Sequence, residues 1–270
     1  MPERLSVIAA IPSYNMASSL ENLLPQIIEQ GYDDIYVLDD ASTDNTEEVI
    51  TSFKKVKNIK GEENVGPGAN RNRIIPVLDH EAIVHFLDAD VELSSQNNPK
   101  IARYLFKSNP KLGLVGGLIK LPDERPWIFN YGPRFSLYSQ ISGWFQAKSY
   151  ESQSSHSIKA AFFRNHTNYW RKEYPNFLAE PTRKEVFWVG EANMLIRSGV
   201  FKEMGGFDPR LRYHEIQDLA INLHDHGYKV LFEPTISVIH PHIDLNDLKR
   251  KALQSKAGLQ LMRKYGIRIK

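Results

Sequence analysis

Two carboxylates separated by one residue, Asp88 and Asp90, are the strongest candidates for chemistry in this 270-residue sequence. Carboxylates at this spacing on a turn can share one hard divalent cation and its waters, as Mg²⁺ and Mn²⁺ prefer. A cation held there would neutralise a diphosphate and help it depart as a leaving group. A turn or a helix cap is the plain alternative, but the apolar run before the pair, residues 83–87, favours a metal site.

Two further polar clusters follow apolar runs, at residues 12–15 and 39–44. The second begins with adjacent carboxylates, Asp39 and Asp40, which exceed what capping of the next helix requires. One of them would accept a hydrogen bond from a nucleobase N–H or a ribose hydroxyl. Ligands of open α/β sheets bind beyond the carboxyl ends of the strands, so the sequence predicts that all three clusters meet at one edge of a sheet.

A glycine-rich stretch, residues 64–72, leads into a helix start that carries Arg71 and Arg73. Backbone N–H groups and a guanidinium suit a base or a phosphate group. The stretch lacks the Gly-Lys-Ser/Thr ending of a Walker A loop and the Gly-x-Gly-x-x-Gly of a dinucleotide fingerprint. An ordinary loop before a helix is the alternative interpretation.

The elements that position these clusters alternate between short apolar strands and helices. Strands are predicted over residues 5–11, 35–38, 56–59, 82–87, 112–121, 187–197, 230–232 and 236–239, and helices over 18–30, 46–53, 74–78, 199–204 and 218–227. This alternation predicts an α/β fold with a Rossmann-like, mainly parallel central sheet flanked by helices. We treat residues 1–243 as one domain and residues 244–270 as a basic amphipathic C-terminal helix.

Composition excludes several classes of protein. Lys and Arg total 34 against 32 Asp and Glu, a formal net charge of +2, which disfavours a protein that coats nucleic acid. Cysteine is absent, so thiolate metal sites and disulfides are excluded, and a cytoplasmic setting is permitted. The N-terminus does not have the pattern of a signal peptide, and no apolar run approaches the ~20 residues of a membrane helix. We therefore expect a soluble protein that is at most peripheral to the inner face of a membrane.

Five ordered motifs resemble those of the GT-A glycosyltransferases of family 2: Ile-Pro-Ser-Tyr-Asn, Val-Leu-Asp-Asp-Ala-Ser-Thr-Asp, Asn-Val-Gly followed by Arg-Asn, Phe-Leu-Asp-Ala-Asp, and Gly-Gly-Phe-Asp. The resemblance spans about residues 5–242. It implies a GT-A fold with a nucleotide-sugar half (1–121) and an acceptor half (122–243). It also implies a UDP- or dTDP-sugar donor, Mn²⁺ or Mg²⁺, and transfer with inversion to a saccharide or lipid-linked saccharide.

The resemblance also implies roles for individual residues. The nucleoside would be held by Pro12, Tyr14, Asn15, Asp39 or Asp40, and Arg71. Asp88 and Asp90 would hold ribose, diphosphate and metal, and His240, at the end of a predicted strand, would approach the metal. Trp188, Gly190 and Glu191 belong to a segment that is similar to the acceptor side of the family.

The general base is where this sequence departs from the family pattern. Relatives place the base at the second acid of Glu-Asp-x-Asp-Leu, and Ile216 occupies that position here. Isoleucine cannot accept a proton, so Glu215 is the first substitute, Asp218 the second and His214 the third. If Glu215 and Asp218 are only helix-start residues, the chain is a non-catalytic sugar-nucleotide-binding protein. A sugar nucleotidyltransferase is a further alternative, but residues 12–15 offer no loop for a triphosphate.

Two other regions could contact a partner. Residues 127–170 are rich in aromatic side chains, with Arg134, Lys148, Lys159 and Arg164 between them, and ordinary core aromatics are the alternative. The C-terminal helix could rest on an anionic membrane through its basic residues, with a solvated face as the alternative.

Overall fold

The computed structural model describes residues 4–79, 81–151, 179–241 and 248–266, together with residues 158, 161, 162, 174 and 175. The predictions made for Lys159, Arg164 and the start of the C-terminal helix at 244–247 lie outside the described residues, as do the side chains of residues 248–252.

The first part of the chain forms a parallel sheet whose strands are adjacent in the order β3-β2-β1-β4. These strands are β1 (Ser6–Ser13), β2 (Asp34–Asp39), β3 (Val56–Lys60) and β4 (Ala82–Leu87). β1, β2 and β4 are continuous apolar runs because helices cover both faces of the sheet. Ser13 pairs with Asp39, and Ala10 pairs with Phe86, so the carboxyl ends of β1, β2 and β4 lie at one edge.

The second part of the chain extends the same sheet beyond β4. It supplies β5 (Glu92–Leu93), β6 (Leu112–Lys120), β8 (Lys184–Glu185), β10 (Asn193–Arg197) and β11 (Lys229–Ile239), while β7 (Tyr131–Gly132) and β9 (Trp188–Val189) form a separate ladder. β10 lies antiparallel between β4 and β6, and β11 runs parallel to β6. The predicted mainly parallel α/β sheet is confirmed.

Two strand predictions need correction. The two strands expected at 230–232 and 236–239 are one strand, β11, whose register shifts between Glu233 and Ser237. Pro234 lies in this bulge, where the pairing with β6 is interrupted. The strand can therefore contain a proline, which has no backbone N–H to donate to the ladder. Conversely, the single strand expected at 187–197 is divided into β9 and β10 by a turn at Glu191 and Ala192.

Helices pack on both sides of the sheet. They are α1 (Ala17–Gln30), α2 (Thr46–Ser52), α3 (Pro67–Arg71) with a following 3₁₀ turn (Asn72–Val77), α4 (Asn98–Ser108), α5 (Leu137–Glu151), α6 (Ser198–Glu203), α7 (Glu215–Asp225) and α8 (Leu248–Lys264). α1 ends at Gln30, the predicted boundary, and Gly31 after it adopts the left-handed conformation. α7 begins at Glu215, three residues before the predicted start. The sequence analysis missed α4 and α5.

The core has two layers because successive residues of β1 point to opposite faces. Val7, Ala9 and Ile11 pack with α1 and α4, whereas Ile8 and Ala10 pack with α6 and α7. No described helix is long and apolar enough to cross a membrane.

Candidate active site

The carboxyl edge of the sheet brings the predicted polar clusters together. Asp39 ends β2 beside Ser13 of β1, and Asp88 follows β4 directly, with its backbone N–H donating to Ala192 O at 3.2 Å. The parallel register of β1 with both neighbours fixes this meeting, because each strand ends at the same level. The residues that the sequence analysis assigned to separate motifs therefore share one edge.

The adjacent carboxylates Asp39 and Asp40 are both buried, but they differ in what they bind. Asp40 accepts hydrogen bonds from the backbone of Val65 at 3.1 Å and Gly66 at 2.9 Å, and it pairs with Arg73 at 3.2 Å. Asp40 thus fastens the glycine-rich loop to the end of β2. Asp39 accepts one hydrogen bond from the N–H of Ser42 at 3.0 Å, and its Oδ2 is buried with no partner among the described residues. Of the two alternatives, Asp39 has the oxygen that can receive a ligand.

The loop after β1 is held by side chains of its own cluster. Asn15 adopts a left-handed φ of 53°, its N–H donates to Ser42 Oγ at 2.9 Å, and its Oδ1 accepts from the N–H of Thr43 at 2.8 Å. The side chain of Asn15 therefore joins two loops, a role that the sequence analysis did not assign to it. Tyr14 is 45% exposed at the mouth of this edge, and Pro12 is half-buried within β1.

Glycines allow the glycine-rich loop to lie close to its neighbours. Gly66 has a φ of 90°, which a residue with a Cβ adopts only under strain. A Cβ on Gly68 would lie 2.6 Å from Cγ of Glu215. The loop and the first turn of α7 are therefore in direct contact.

Arg71 is fully enclosed and forms ion pairs with two acids. Its guanidinium contacts Asp88 at 2.6 Å and Glu191 at 3.2 Å, and it lies 5.9 Å from the centre of the Phe207 ring. Burial alone would lower the pKa of Arg71, but the charges of Asp88, Glu191 and Glu215 raise it. Arg71, which the sequence analysis predicts to hold the nucleoside, is 2% exposed and joins the end of β4 to the turn before β10.

Three side chains at this edge have the composition of a divalent cation site. One ligand atom from each of Asp88, Asp90 and His240 lies within 4.8 Å of the others, and His240 Nε2 is 3.6 Å from Asp90 Oδ1. The other ring nitrogen of His240, Nδ1, is buried and has no partner among the described residues. Carboxylate oxygens with an imidazole suit Mn²⁺ or Mg²⁺. The residues present therefore fit the predicted cation.

Glu215 begins α7 with its side chain enclosed near Arg71. It is 2% exposed, and its Oε1 is buried with no partner among the described residues. The pKa of Glu215 is raised to about 8, mainly by burial; the negative charges of Glu191 and Asp88 also raise this pKa, and Arg71 lowers it. Ile216, at the position where relatives carry the base, is buried in the core beneath α7.

The other two candidate bases are engaged elsewhere. Both oxygens of Asp218 contact Lys264, at 2.7 and 2.9 Å, and Oδ1 also accepts from the Tyr265 hydroxyl at 2.8 Å. His214 adopts a left-handed φ of 64° and packs edge-on against Phe135. Burial lowers the pKa of His214. Among the three candidates, Glu215 has the oxygen that is left without a protein partner.

The predicted acceptor residues divide into two groups. Trp188 packs in the β7–β9 ladder, where a Cβ on Gly132 would lie 2.3 Å from its indole, and Gly190 donates its N–H to Asn130 O at 2.9 Å. Both serve packing in this structure. Glu191 reaches the acidic cluster through its ion pair with Arg71. The sequence analysis counted Lys264 only among the basic residues of the C-terminal helix and did not connect Lys264 or Tyr265 with Asp218, because no local pattern indicates where a helix outside the motifs will dock.

Comparisons with known proteins agree on one family. The model of the family described as Glycosyl transferase family 2 matches residues 8–172. An N-acetylglucosaminyl-diphospho-decaprenol L-rhamnosyltransferase of Mycobacterium tuberculosis is 24% identical over 253 residues, covering 89% of this chain and 76% of that protein. A poly-beta-1,6-N-acetyl-D-glucosamine synthase of Staphylococcus epidermidis is 33% identical over 109 residues, covering 38% of this chain and 26% of that protein.

Solved structures show the same fold at low sequence identity. The mannosyltransferase PcManGT of Pyrobaculum calidifontis, in complex with GDP-Man and Mn²⁺, has a TM-score of 0.63 at 16% identity and covers 100% of this chain. GalNAc-T7 with UDP, GalNAc and Mn²⁺ has a TM-score of 0.66 at 14% identity and covers 97% of this chain. The match spans 66% of the first of these chains and 48% of the second.

The raised pKa of Glu215 predicts a pH dependence of stability. Between its ordinary pKa of 4.5 and about 8, the unfolded chain has released this proton and the folded chain keeps it. The free energy of unfolding therefore falls as pH rises through this window. Glu215→Gln carries no such proton, so in metal-free buffer its stability relative to wild type should grow by on the order of 2 kcal/mol from pH 5 to pH 8.

Urea unfolding at pH 5, 6, 7 and 8 measures this difference. Glu29→Gln, at an exposed position on α1, is the control and should follow the wild-type curve. Parallel curves for Glu215→Gln and wild type would contradict the enclosed, protonated state of Glu215.

Proposed function

The chain belongs to glycosyltransferase family 2 and is a glycosyltransferase, and on this premise we propose that it is an inverting, metal-assisted enzyme. It moves a sugar from a nucleotide-diphosphate sugar to a hydroxyl of a saccharide or a lipid-linked saccharide. One observation carries the proposal: the unpartnered Oδ2 of Asp39, the trio of Asp88, Asp90 and His240, and the buried Glu215 all lie at the carboxyl edge of the sheet. These are the groups that binding the donor, stabilising its leaving diphosphate and activating an acceptor require.

The donor binds with its base at the ends of β1 and β2. The free Oδ2 of Asp39 accepts the ring N–H of a uracil or thymine base, which supports a UDP- or dTDP-sugar. Tyr14, exposed beside it, offers a ring on which the base can stack. The solved neighbours that carry UDP or GDP-Man support a nucleotide-sugar donor in general.

The diphosphate lies next to the cation-binding trio. Asp88, Asp90 and His240 would hold Mn²⁺ or Mg²⁺, and a cation there neutralises the charge that develops on the leaving diphosphate. Arg71 keeps Asp88 in place through the 2.6 Å ion pair. Because Arg71 is enclosed, its contribution is to orient Asp88, and the direct contact that the sequence analysis expected with the nucleoside is left to Asp39.

Glu215 acts as the general base. The acceptor oxygen attacks the anomeric carbon from the face opposite the diphosphate, its O–H proton passes to a carboxylate oxygen of Glu215, and the bond to the diphosphate oxygen breaks. At neutral pH the metal-free site keeps Glu215 protonated, and a bound cation at the trio would lower the pKa of Glu215 from about 8 toward neutrality, so that the carboxylate form is available as a base stronger than an ordinary glutamate. Its unpartnered Oε1 gives the proton a place to go.

The acceptor side includes a surface that suits a lipid-linked substrate. One face of α5 exposes four large apolar side chains, Leu137, Tyr138, Ile141 and Trp144. α8 adds exposed Leu253 and Leu259, and its Leu248–Lys264 stretch contains six Lys or Arg residues and no acid. Phe135, two residues before α5 begins, lies beside Gly258 of α8. Apolar side chains next to a basic helix suit the interface of an anionic membrane.

Removal of one cation ligand should weaken nucleotide binding only when the metal is present. In Asp90→Asn, the affinity for UDP in Mn²⁺ should fall about tenfold, whereas the affinity measured in EDTA should not change. Titration calorimetry with UDP, dTDP and GDP measures both. Glu92→Gln, an exposed acid two residues further along, is the matched control. Equal losses for the two variants, or binding that is indifferent to Mn²⁺, would contradict the cation site.

Removal of the base should abolish transfer without abolishing donor binding. Glu215→Gln should lower kcat about 100-fold or more, with the affinity for the nucleotide within about twofold of wild type. The assay incubates the enzyme with Mn²⁺, a panel of nucleotide-diphosphate sugars and lipid-linked or free saccharide acceptors. NMR of the product should show an anomeric configuration opposite to that of the donor. Retention of configuration, or full activity of Glu215→Gln, would contradict the mechanism.

The exposed apolar face predicts binding to anionic vesicles. Wild type should sediment with vesicles that contain phosphatidylglycerol and much less with pure phosphatidylcholine. Ile141→Ser with Trp144→Ser should weaken this binding about tenfold, because two exposed apolar side chains lose their burial in lipid. Tyr104→Ser is the control, since Tyr104 is 68% exposed on α4. If the double variant binds the vesicles as well as Tyr104→Ser does, the exposed face of α5 does not contact lipid.

A further inference from the structure

Two buried carboxylates outside the proposed reaction share one ammonium group. Lys264, at the end of α8, contacts Asp208 at 2.9 Å and Asp218 at 2.7 Å. The two acid side chains are only 8% and 3% exposed. Arg210 also pairs with Asp208, at 2.7 Å, and its hydrogen bonds are the main reason that the pKa of Asp208 lies well below its usual range. Asp208 is therefore charged, and Lys264 joins it to Asp218.

Tyr265 adds a second tie to Asp218. Its hydroxyl donates to Asp218 Oδ1 at 2.8 Å. Burial and this hydrogen bond raise the pKa of the Tyr265 hydroxyl, so its proton stays in place as a donor. Asp218 thus accepts hydrogen bonds from two consecutive residues at the end of α8.

α8 contacts α7 on both sides of Glu215. Asp218 lies in the same first turn of α7 as Glu215, and His214 immediately precedes Glu215. A Cβ on Gly258 of α8 would lie 3.7 Å from His214 Nε2, and Leu261 is buried with Phe135, Leu211 and Ile221. The residue before Glu215 holds a left-handed φ of 64°, a conformation that persists only when packing enforces it.

We propose that Lys264 and Tyr265 are positioning residues for sugar transfer, and that through Asp218 they hold the first turn of α7 so that Glu215 faces the acidic cluster. The proposal rests on Glu215 being the base. It assigns a role to α8, which lies beyond the residues 8–172 that the family model matches.

The charges around Asp218 explain why its contact with Lys264 would affect the placement of Glu215 as well as the stability of the fold. Without the ammonium group, a buried carboxylate at Asp218 has one neutral donor left and moves toward water. Because Asp218 and Glu215 belong to the same turn of α7, that movement rotates Glu215 away from the glycine-rich loop. Donor contacts at Asp39 and at the cation-binding trio involve other elements and stay in place.

Lys264→Met tests this proposal against Lys256→Met, which makes the same substitution at an exposed position of the same helix. We expect Lys264→Met to lower kcat about tenfold with the donor KM within about twofold of wild type. Lys264→Arg, which keeps a cation within reach of both acids, should restore most of the loss. Lys256→Met should match wild type. A kcat for Lys264→Met equal to that of Lys256→Met, or a lasting loss in Lys264→Arg with Asp208 and Asp218 still paired in its crystal structure, would overturn the proposal.

Tyr265→Phe provides a milder variant if Lys264→Met does not fold. It removes one hydroxyl and keeps the ring, so the chain should fold, and kcat should fall about threefold at constant donor KM. An unchanged kcat in Tyr265→Phe together with an unfolded Lys264→Met would reduce α8 to a structural cap and overturn the proposal.

Hydrogen exchange separates this proposal from the proposed function. Amides of residues 211–220 should exchange faster in Lys264→Met than in Lys256→Met, and those of β1 and β2 should not change. If wild type transfers no sugar from any donor, the proposed function fails, while this exchange pattern still reports whether α8 holds α7. Equal exchange in both variants would overturn the tie itself, whatever the activity.

Discussion

The site depends on one enclosed guanidinium. Arg71 pairs with Asp88 and Glu191, and its positive charge also acts on Glu215; the guanidinium itself is shielded from water, at 2% exposure. Asp88, Glu191 and Glu215 carry more negative charge than the single guanidinium of Arg71 can balance. A divalent cation held by Asp88, Asp90 and His240 would offset this excess. The proton on Glu215 offsets it in the absence of a cation. A cation at the trio and a proton on Glu215 would thus offset the same excess of negative charge.

The sheet explains how distant parts of the chain reach this guanidinium. Arg71 comes from the helix after the glycine-rich loop, Asp88 from the end of β4, and Glu191 from the turn before β10. Because β10 lies antiparallel beside β4, the start of β10 meets the end of β4, and the 3.2 Å hydrogen bond from Asp88 to Ala192 joins them. A strand of opposite direction thereby brings the second half of the chain to the first.

The sequence predicted the parts of the fold in which a local pattern coincides with a tertiary constraint. The apolar runs of β1, β2 and β4 and the polar residues that follow them could be located, since buried parallel strands must end at one edge. α4 and α5 were missed: α4 begins with Asn98 and Pro99, a helix-start signal that was overlooked, and α5 carries apolar residues on more than one face. The sequence could not show that Asp40 binds the glycine-rich loop while Asp39 keeps an unpartnered oxygen among the described residues. The two residues are identical and adjacent, and they differ only in their tertiary contacts. The contact of Lys264 with Asp218 spans 46 residues and has no local signature.

Gly68 has a consequence for how this protein can change over time. A Cβ at that position would lie 2.6 Å from Cγ of Glu215, so even alanine there would displace the acid that the loop covers. A side chain at position 68 would therefore be tolerated only in sequences where residue 215 is already smaller than glutamate. Such sequences no longer have the carboxylate of Glu215 at this place. The effect of a substitution at position 68 therefore depends on the residue at position 215. A sequence that combines a side chain at position 68 with an intact Glu215 would be disfavoured.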